Sequence, residues 1–295
     1  MSLIDWPPRV CCPPPVTTND TPSSATAVRI GVFDSGLGGL SVLRSIRHML
    51  PEADLMYVAD SGYAPYGERG DAHVCQRSLA IARFLRERGA DLLVIACNTA
   101  TAAAVSTLRQ AHADWPIVGV EPGIKPAAGL TRNGRIGVMA TTGTLHSERF
   151  RLLAQAHAAH VDLRLQPCPG LAAAIESGEV DSPEVRARVE EHCRPLRAQQ
   201  VDTVVLGCTH YPFVAHHIQA ELGQDVQIID TSDAVARRTR HLSTSAAGAA
   251  VLSSASSPSS RAARLWTTGE LARLLSFASR WLDFPWQAQA ASIAS

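Results

Sequence analysis

Two stretches of this 295-residue chain are each repeated once, and that repetition restricts the fold more than any other feature. Asp91-Leu92-Leu93-Val94-Ile95-Ala96-Cys97-Asn98-Thr99 is echoed, 111 residues on, by Asp202-Thr203-Val204-Val205-Leu206-Gly207-Cys208-Thr209-His210. Arg29-Ile30-Gly31-Val32-Phe33-Asp34 is echoed, 106 residues on, by Arg135-Ile136-Gly137-Val138-Met139-Ala140. Matched segments at nearly one spacing imply two similar lobes. Each segment is a short apolar run, the mark of a strand buried on both faces.

Between these strands the pattern alternates. Residues 54–59, 91–96 and 116–120 read as strands. Residues 72–88 and 98–111 read as helices, as does the run carrying Leu40, Leu43, Ile46 and Leu50, which Pro51 stops. Strands and helices in alternation with short loops predict an α/β fold, each lobe a mainly parallel sheet flanked by helices. We expect one lobe from residues 28–124 with 231–285 returning to it, and the other from 125–230. Residues 1–27, with Cys11-Cys12-Pro13-Pro14-Pro15, read as a flexible extension, and the Ser/Ala-rich 243–260 as a loose linker. Residues 264–269 read as one more strand and 270–282 as an amphipathic helix for packing rather than function. Residues 286–295 read as a tail.

Composition narrows the function. With 46% hydrophobic and 18% charged residues the chain has ample core. A formal net charge of zero offers no footprint for nucleic acid or a membrane surface. No apolar run is long enough to span a bilayer, and the N-terminus lacks the order of a signal peptide, so a cytoplasmic protein is expected. Seven scattered cysteines suggest free thiols in a reducing compartment rather than a disulfide framework.

Ligands of open α/β sheets bind beyond the carboxyl ends of the strands. Three strands end there in Asp34-Ser35-Gly36, Cys97-Asn98-Thr99 and Cys208-Thr209-His210. Both cysteines are expected between a strand end and a helix N-terminus, a setting that lowers thiol pKa values and attracts carboxylates. Two thiols facing one cleft from opposite sides suit racemisation, in which one group removes an α-proton and another returns one to the opposite face. Ser35, Asn98, Thr99 and Thr209 are the donors available for the developing enediolate.

Blander roles compete for the same residues. Asp34 would serve as a helix cap, Tyr66 as a turn residue and His210 as partner in a local hydrogen bond. Gly36, Gly38 and Gly39 weakly resemble a phosphate loop, but no Walker lysine follows. No Cys-x-x-Cys or His-x-x-x-His pairing supports a metal, and none is expected. Pyridoxal phosphate needs a Schiff-base lysine, and Lys125, far from both cysteine motifs, is the sole lysine, so no cofactor is expected. A thiol-redox protein would need a resolving cysteine nearby. Glu121, Cys75, Cys168 and Cys193 read as structural.

At these residues the chain resembles glutamate racemase, within the aspartate/glutamate racemase superfamily. The matching segments are 33–42, Ala59-Asp60 leading to Pro65-Tyr66-Gly67, 96–101, Gly119-Val120-Glu121-Pro122, and Gly207-Cys208-Thr209-His210-Tyr211-Pro212. The resemblance spans about residues 28–232, more loosely 262–285. It implies two pseudo-symmetric lobes with glutamate in the cleft between them, and D-glutamate supplied for peptidoglycan synthesis. It implies Cys97 and Cys208 as catalytic thiols, with Asp34 assisting the first and His210 and Glu176 the second. Asp34, Ser35, Pro65, Tyr66, Gly67, Asn98, Thr99, Thr144, Thr209 and His210 match substrate-holding positions. Thr141 and Thr142 compete for one more, spacing favouring Thr141. A homodimer is left open, as are aspartate or hydantoin as substrates and a binding protein that has lost turnover.

Overall fold

The computed structural model describes residues 27–177, 179–246 and 261–294. Its first unit alternates β1 (Arg29–Asp34), α1 (Leu40–Met49), β2 (Asp54–Ala59), α2 (Asp71–Glu87), β3 (Leu92–Ile95), α3 (Asn98–Ala111) and β4 (Ile117–Gly119). The second runs through α4 (Ile124–Leu130), β5 (Arg135–Ala140), α5 (Thr142–Leu145), α6 (Glu148–His157) and β6 (Asp162–Pro167). It continues with α7 (Leu171–Ser177), α8 (Pro183–Ala198), β7 (Thr203–Gly207), α9 (Ala215–Leu222) and β8 (Gln227–Ile229). The chain then returns to the first unit with α10 (Ser232–Ala246), β9 (Ala263–Thr267), α11 (Leu271–Trp281) and β10 (Trp286–Ala290).

Two parallel sheets result, ordered β10-β9-β2-β1-β3-β4 and β6-β5-β7-β8. The run β2-β1-β3-β4, which ends at one edge of the first sheet, follows the same order as β6-β5-β7-β8, so the repetition in the sequence is a repetition in space. Register agrees as well. Arg29 pairs with Asp54 as Arg135 pairs with Asp162, and Ile30 with Leu92 as Ile136 with Thr203. Cys97 and Cys208 each lie five residues beyond the latter partner, at the same end of the corresponding strand.

Local chemistry explains the boundaries. β1, β2, β3 and β7 are almost wholly buried, as strands covered by helices on both faces must be. Ser182 caps α8 by accepting the Val185 N–H, with Pro183 in the first turn, where no intrahelical N–H partner is lost. Ser147 caps α6 through the Phe150 N–H in the same way. α1 turns Leu40, Leu43 and Ile46 into the core, and α10 packs beside it, with Ser45 donating to Asp233 at 2.9 Å.

Two expectations need correction. Residues 286–295 are not a plain tail, because β10 adds an edge strand parallel to β9. The register Trp286↔Ala263 to Ala290↔Thr267 supplies the backbone pairing that alternating Trp/Gln/Ala composition did not advertise. The loose segment begins later than residue 243: α10 extends to Ala246, and residues 247–260 lie outside those described. Of the amino-terminal extension only Ala27 is described. No described helix is long and apolar enough to cross a membrane.

Candidate active site

Cys97 occupies the N-cap of α3, directly after β3. Its Sγ accepts the Ala100 N–H at 3.4 Å and lies 3.4 Å from Ser35 Oγ. The helix N-terminus was expected to lower its pKa; the thiol is instead raised, because burial and then the nearby Asp34 carboxylate outweigh the Ser35 and Ala100 bonds. Asp34, fully buried at the end of β1, accepts the Gly39 and Gly36 N–H groups on Oδ2 at 3.0 and 3.3 Å. Its Oδ1 has no partner among the described residues, and burial raises its pKa, the His210 charge only partly opposing this.

Cys208 follows β7 but does not open an α-helix. A turn and a short 3-10 segment, Tyr211–Val214, precede α9, with Pro212 in its first turn. Its neighbour is a side chain instead: Cys208 Sγ lies 3.5 Å from His210 Nδ1. The opposite ring nitrogen, Nε2, lies 2.5 Å from Glu176 Oε1 at the end of α7. Burial by itself would lower the His210 pKa, yet Cys208 and Glu176 together raise it well above the ordinary imidazole value. Glu176 is held below the usual carboxylate range because His210 and the Leu37 N–H overcome its own burial. A thiol, an imidazole and a carboxylate therefore stand in line.

The glycine run after β1 has a clear structural use, and it is not phosphate binding. A Cβ on Gly36 would overlap Glu176 Oε1, and one on Gly38 would overlap the His210 ring and Thr209. The bare backbone admits these side chains of the second unit. Leu37 N–H donates to Glu176 Oε1 at 2.6 Å, Ser41 Oγ to the Thr209 carbonyl at 3.1 Å, and Tyr57 Oη steadies the turn through the Gly36 carbonyl at 2.8 Å.

Opposite, the 61–67 loop is anchored from beneath. Tyr66 Oη donates to Asp60 Oδ2 at 2.5 Å, and Asp60 is paired at 2.8 Å with Arg77, both fully buried. Arg77 also donates to the Ile293 carbonyl at 2.8 Å and lies over the Tyr63 ring at 3.6 Å. Gly67 packs against the Thr141 side chain. Thr99, Thr141 and Thr144 link hydroxyls across the two units, with Thr99 3.0 Å from Thr141 and 3.3 Å from Thr144. Thr141 caps α5 and faces the cavity, whereas Thr142 is exposed.

These residues surround one cavity of about 390 Å³. Ser35, Pro65, Tyr66, Gly67, Cys97, Asn98, Thr99, Thr141, Glu176, Cys208, Thr209 and His210 line it; Asp34 and Thr144 stand behind the lining. Asn98 Oδ1 and Ser61 Oγ are buried at its wall without partners among the described residues. Unsatisfied buried polar atoms are costly and mark places where a ligand completes the bonding.

Sequence reasoning missed Arg188 and Glu184 on α8 and Arg273 on α11, which also line the cavity. α11 had been assigned to packing alone; its buried face does pack, but Arg273 projects from it to the cavity. No motif marks these arginines, and only the helical face they share with buried neighbours could have suggested them. Lys125 is exposed on α4 and outside the lining. Glu121 is paired with Arg149. Cys168 and Cys193 are buried, Cys193 being pushed up to about 12, mainly by burial, and Cys75 donates to the Ala103 carbonyl. Cys11 and Cys12 lie outside the described residues.

Comparison with known proteins agrees with this geometry. The description of the Asp/Glu/Hydantoin racemase family matches residues 30–239. A glutamate racemase from Pseudomonas syringae pv. tomato is 51% identical over 213 residues, 72% of this chain and 78% of that protein. One from Pseudomonas paraeruginosa is 48% identical over 256 residues, 85% and 94% respectively. Among solved structures, Escherichia coli glutamate racemase, in complex with L-glutamate and the activator UDP-MurNAc-Ala, superposes with a TM-score of 0.79 at 32% identity, covering 92% of this chain and all of that one. Francisella tularensis glutamate racemase in complex with D-glutamate gives 0.77 at 26%, covering 90% and 98%.

Proposed function

The chain belongs to the Asp/Glu/Hydantoin racemase family, and from that membership we propose that it interconverts L- and D-glutamate through Cys97 and Cys208, without a cofactor. The observation that carries this is that both sulfurs open into one cavity from corresponding strand ends of two repeated units. Relatives solved with L-glutamate and with D-glutamate support the substrate.

Glutamate lies between the sulfurs. One, as thiolate, takes the α-hydrogen as a proton: the C–H bond breaks, an S–H bond forms, and the electron pair passes into the α-carboxylate as an enediolate. The other, as thiol, gives its proton to the opposite face of the same carbon. The two sulfurs end with their protonation exchanged. In one direction Cys97 is the acid and Cys208 the base, with His210 beside Cys208 and Glu176 behind His210. In the reverse direction Asp34, whose pKa lies above the usual carboxylate range, takes the Cys97 proton.

Binding groups surround this axis. Asn98, Thr99 and Thr209 offer donors to the α-carboxylate, where negative charge grows. Asn98 Oδ1 and Ser61 Oγ offer acceptors to the ammonium. Arg188 and Arg273, paired with Glu184 and Glu270, line the cavity and offer guanidinium donors to a second carboxylate. The product would enter peptidoglycan synthesis; an E. coli relative solved with an activator that contains a muramic acid derivative supports this.

The test is α-proton exchange in heavy water. Either enantiomer of glutamate, given no cofactor, should gain one deuterium at the α-carbon while optical rotation decays. Absence of exchange from both enantiomers would refute the assignment. Faster exchange of aspartate than glutamate would move the activity to a sister substrate.

A further inference from the structure

Three side chains outside the cavity converge on one point. Asp181 lies in the turn between α7 and α8, next to the Ser182 cap, and His216 and His217 belong to the first turn of α9. His217 Nε2 is 2.9 Å and His216 Nε2 3.2 Å from the same oxygen, Asp181 Oδ1. All three ligand-type atoms lie within 4.8 Å of one another, and the imidazole rings are tilted by 45° with centroids 3.9 Å apart.

We propose that Asp181, His216 and His217 form a binding site for a divalent transition-metal ion of the zinc type. Neighbouring ligand atoms on a tetrahedron with bonds of ~2.0 Å stand roughly 3.3 Å apart, close to the 2.9 and 3.2 Å between the two imidazole nitrogens and Asp181 Oδ1. Two imidazoles with one carboxylate suit Zn²⁺, Ni²⁺ or Cu²⁺, whereas Mg²⁺ and Ca²⁺ favour oxygen ligands. The protein's own bonding leaves the cluster incomplete. His217 is only 12% exposed, and its buried Nε2, although 2.9 Å from the carboxylate, makes no aligned hydrogen bond among the described residues. A cation at the centre engages both rings and the carboxylate at once. His216 and Asp181 are solvent-facing, which leaves a path for the ion and room for water as its fourth ligand.

Arg186 is the competing charge. Its guanidinium lies 3.8 Å from Asp181 Oδ1 and also donates to the Asp181 carbonyl at 3.0 Å. That side chain is 61% exposed and can leave without disturbing a packed neighbour. Occupation of the site would fasten the α7–α8 turn to α9. Glu176 lies five residues before Asp181 and His210 five before Ala215, so the ion ties together the segments that follow both members of the His210–Glu176 pair.

The experiment uses tag-free full-length protein, stripped with a chelator, in a Cys97→Ser/Cys208→Ser background that removes the cavity thiols. Calorimetric titration with Zn²⁺ should find a single strong site. Titration with Co²⁺ should give visible ligand-field bands without the near-ultraviolet band of a sulfur ligand. His216→Gln and His217→Gln should each weaken Zn²⁺ by at least ~10-fold, and Arg186→Gln should tighten it. Melting curves establish that each variant is folded; should His217→Gln unfold, the exposed Asp181→Asn substitution gives the same reading. Undiminished affinity in the histidine variants, a sulfur-to-cobalt band, or no binding at millimolar Zn²⁺ would overturn the proposal.

Discussion

Glu176 Oε1 accepts from two directions at once: His210 Nε2 lies 2.5 Å away in its own unit, and the Leu37 N–H lies 2.6 Å away in the other. One carboxylate oxygen thus sets the charge on the imidazole beside Cys208 and joins the two units behind the cavity. Changing it should alter pH dependence, turnover and stability together.

In Glu176→Gln the His210 pKa falls, because a carboxylate that raises it is gone. The imidazolium beside Cys208 is then lost at lower pH, so the alkaline limb of the rate profile should move to lower pH. A drop in kcat of ~10- to 100-fold is expected for weakened acid–base assistance. An unmoved profile would separate Glu176 from the chemistry.

The same substitution has a signed effect on stability. The folded His210 pKa is raised above 6.5, so its contribution is full below that value and is lost as pH rises through the folded pKa. The folded Glu176 pKa is lowered below 4.5, so its contribution is full above that value and is lost as pH falls through the folded pKa. Wild type should therefore exceed Glu176→Gln by about 1–3 kcal/mol, most clearly between pH 4.5 and 6.5. Melting temperatures across pH measure this, and a constant difference would contradict it.

Asp34 raises the Cys97 pKa by its charge, after burial. Asp34→Asn should lower that pKa and speed alkylation of Cys97 at fixed pH, read by peptide mass spectrometry. Racemisation should nevertheless fall by ~100-fold or more, because the proton acceptor is gone. A thiol that becomes less reactive would reverse the assigned electrostatics.

Gly36 leaves no room for a side chain against Glu176. Gly36→Ala should cost about 1–3 kcal/mol, the usual penalty of forcing atoms into a packed contact. In a Glu176→Ala background, itself less stable, the same Gly36→Ala change should add little further cost and restore no activity. An undiminished cost in that background would place the strain elsewhere.

Arg77 and Asp60 form a fully buried ion pair beneath Tyr66. Arg77→Met leaves the Asp60 carboxylate buried without its cation and should destabilise the fold by about 3–5 kcal/mol. The loss of activity should include a raised KM, since Tyr66 borders the cavity. Denaturant unfolding and steady-state kinetics read the two effects separately.

The elements β1–β4 and α1–α3, with β5, β7, β9 and α11 beyond them, were legible in order, whereas β6, β8 and the helices of the second unit were not read one by one. A buried parallel strand needs a continuous apolar run, and an amphipathic helix its own periodicity. Both are local properties. The same locality placed Cys97 and Cys208 at corresponding strand ends. β10 was hidden because an edge strand requires only backbone pairing, and Trp286-Gln287-Ala288-Gln289-Ala290 has no apolar run to reveal it. Arg188 and Arg273 were hidden because lining a cavity depends on the packing of α8 and α11, not on a motif.

Order along the chain therefore determined two repeated units and two matching sulfurs. Tertiary structure decided what surrounds those sulfurs and, at Cys97, how strongly the thiol holds its proton. Cys97 is raised although it caps a helix, since burial and Asp34, distant in sequence, outweigh the two hydrogen bonds beside it. The Gly36-Leu37-Gly38-Gly39 turn receives Glu176 and His210 only because the second unit folds against it. Burial and electrostatic energy sum over neighbours in space, and most of those neighbours come from far along the chain.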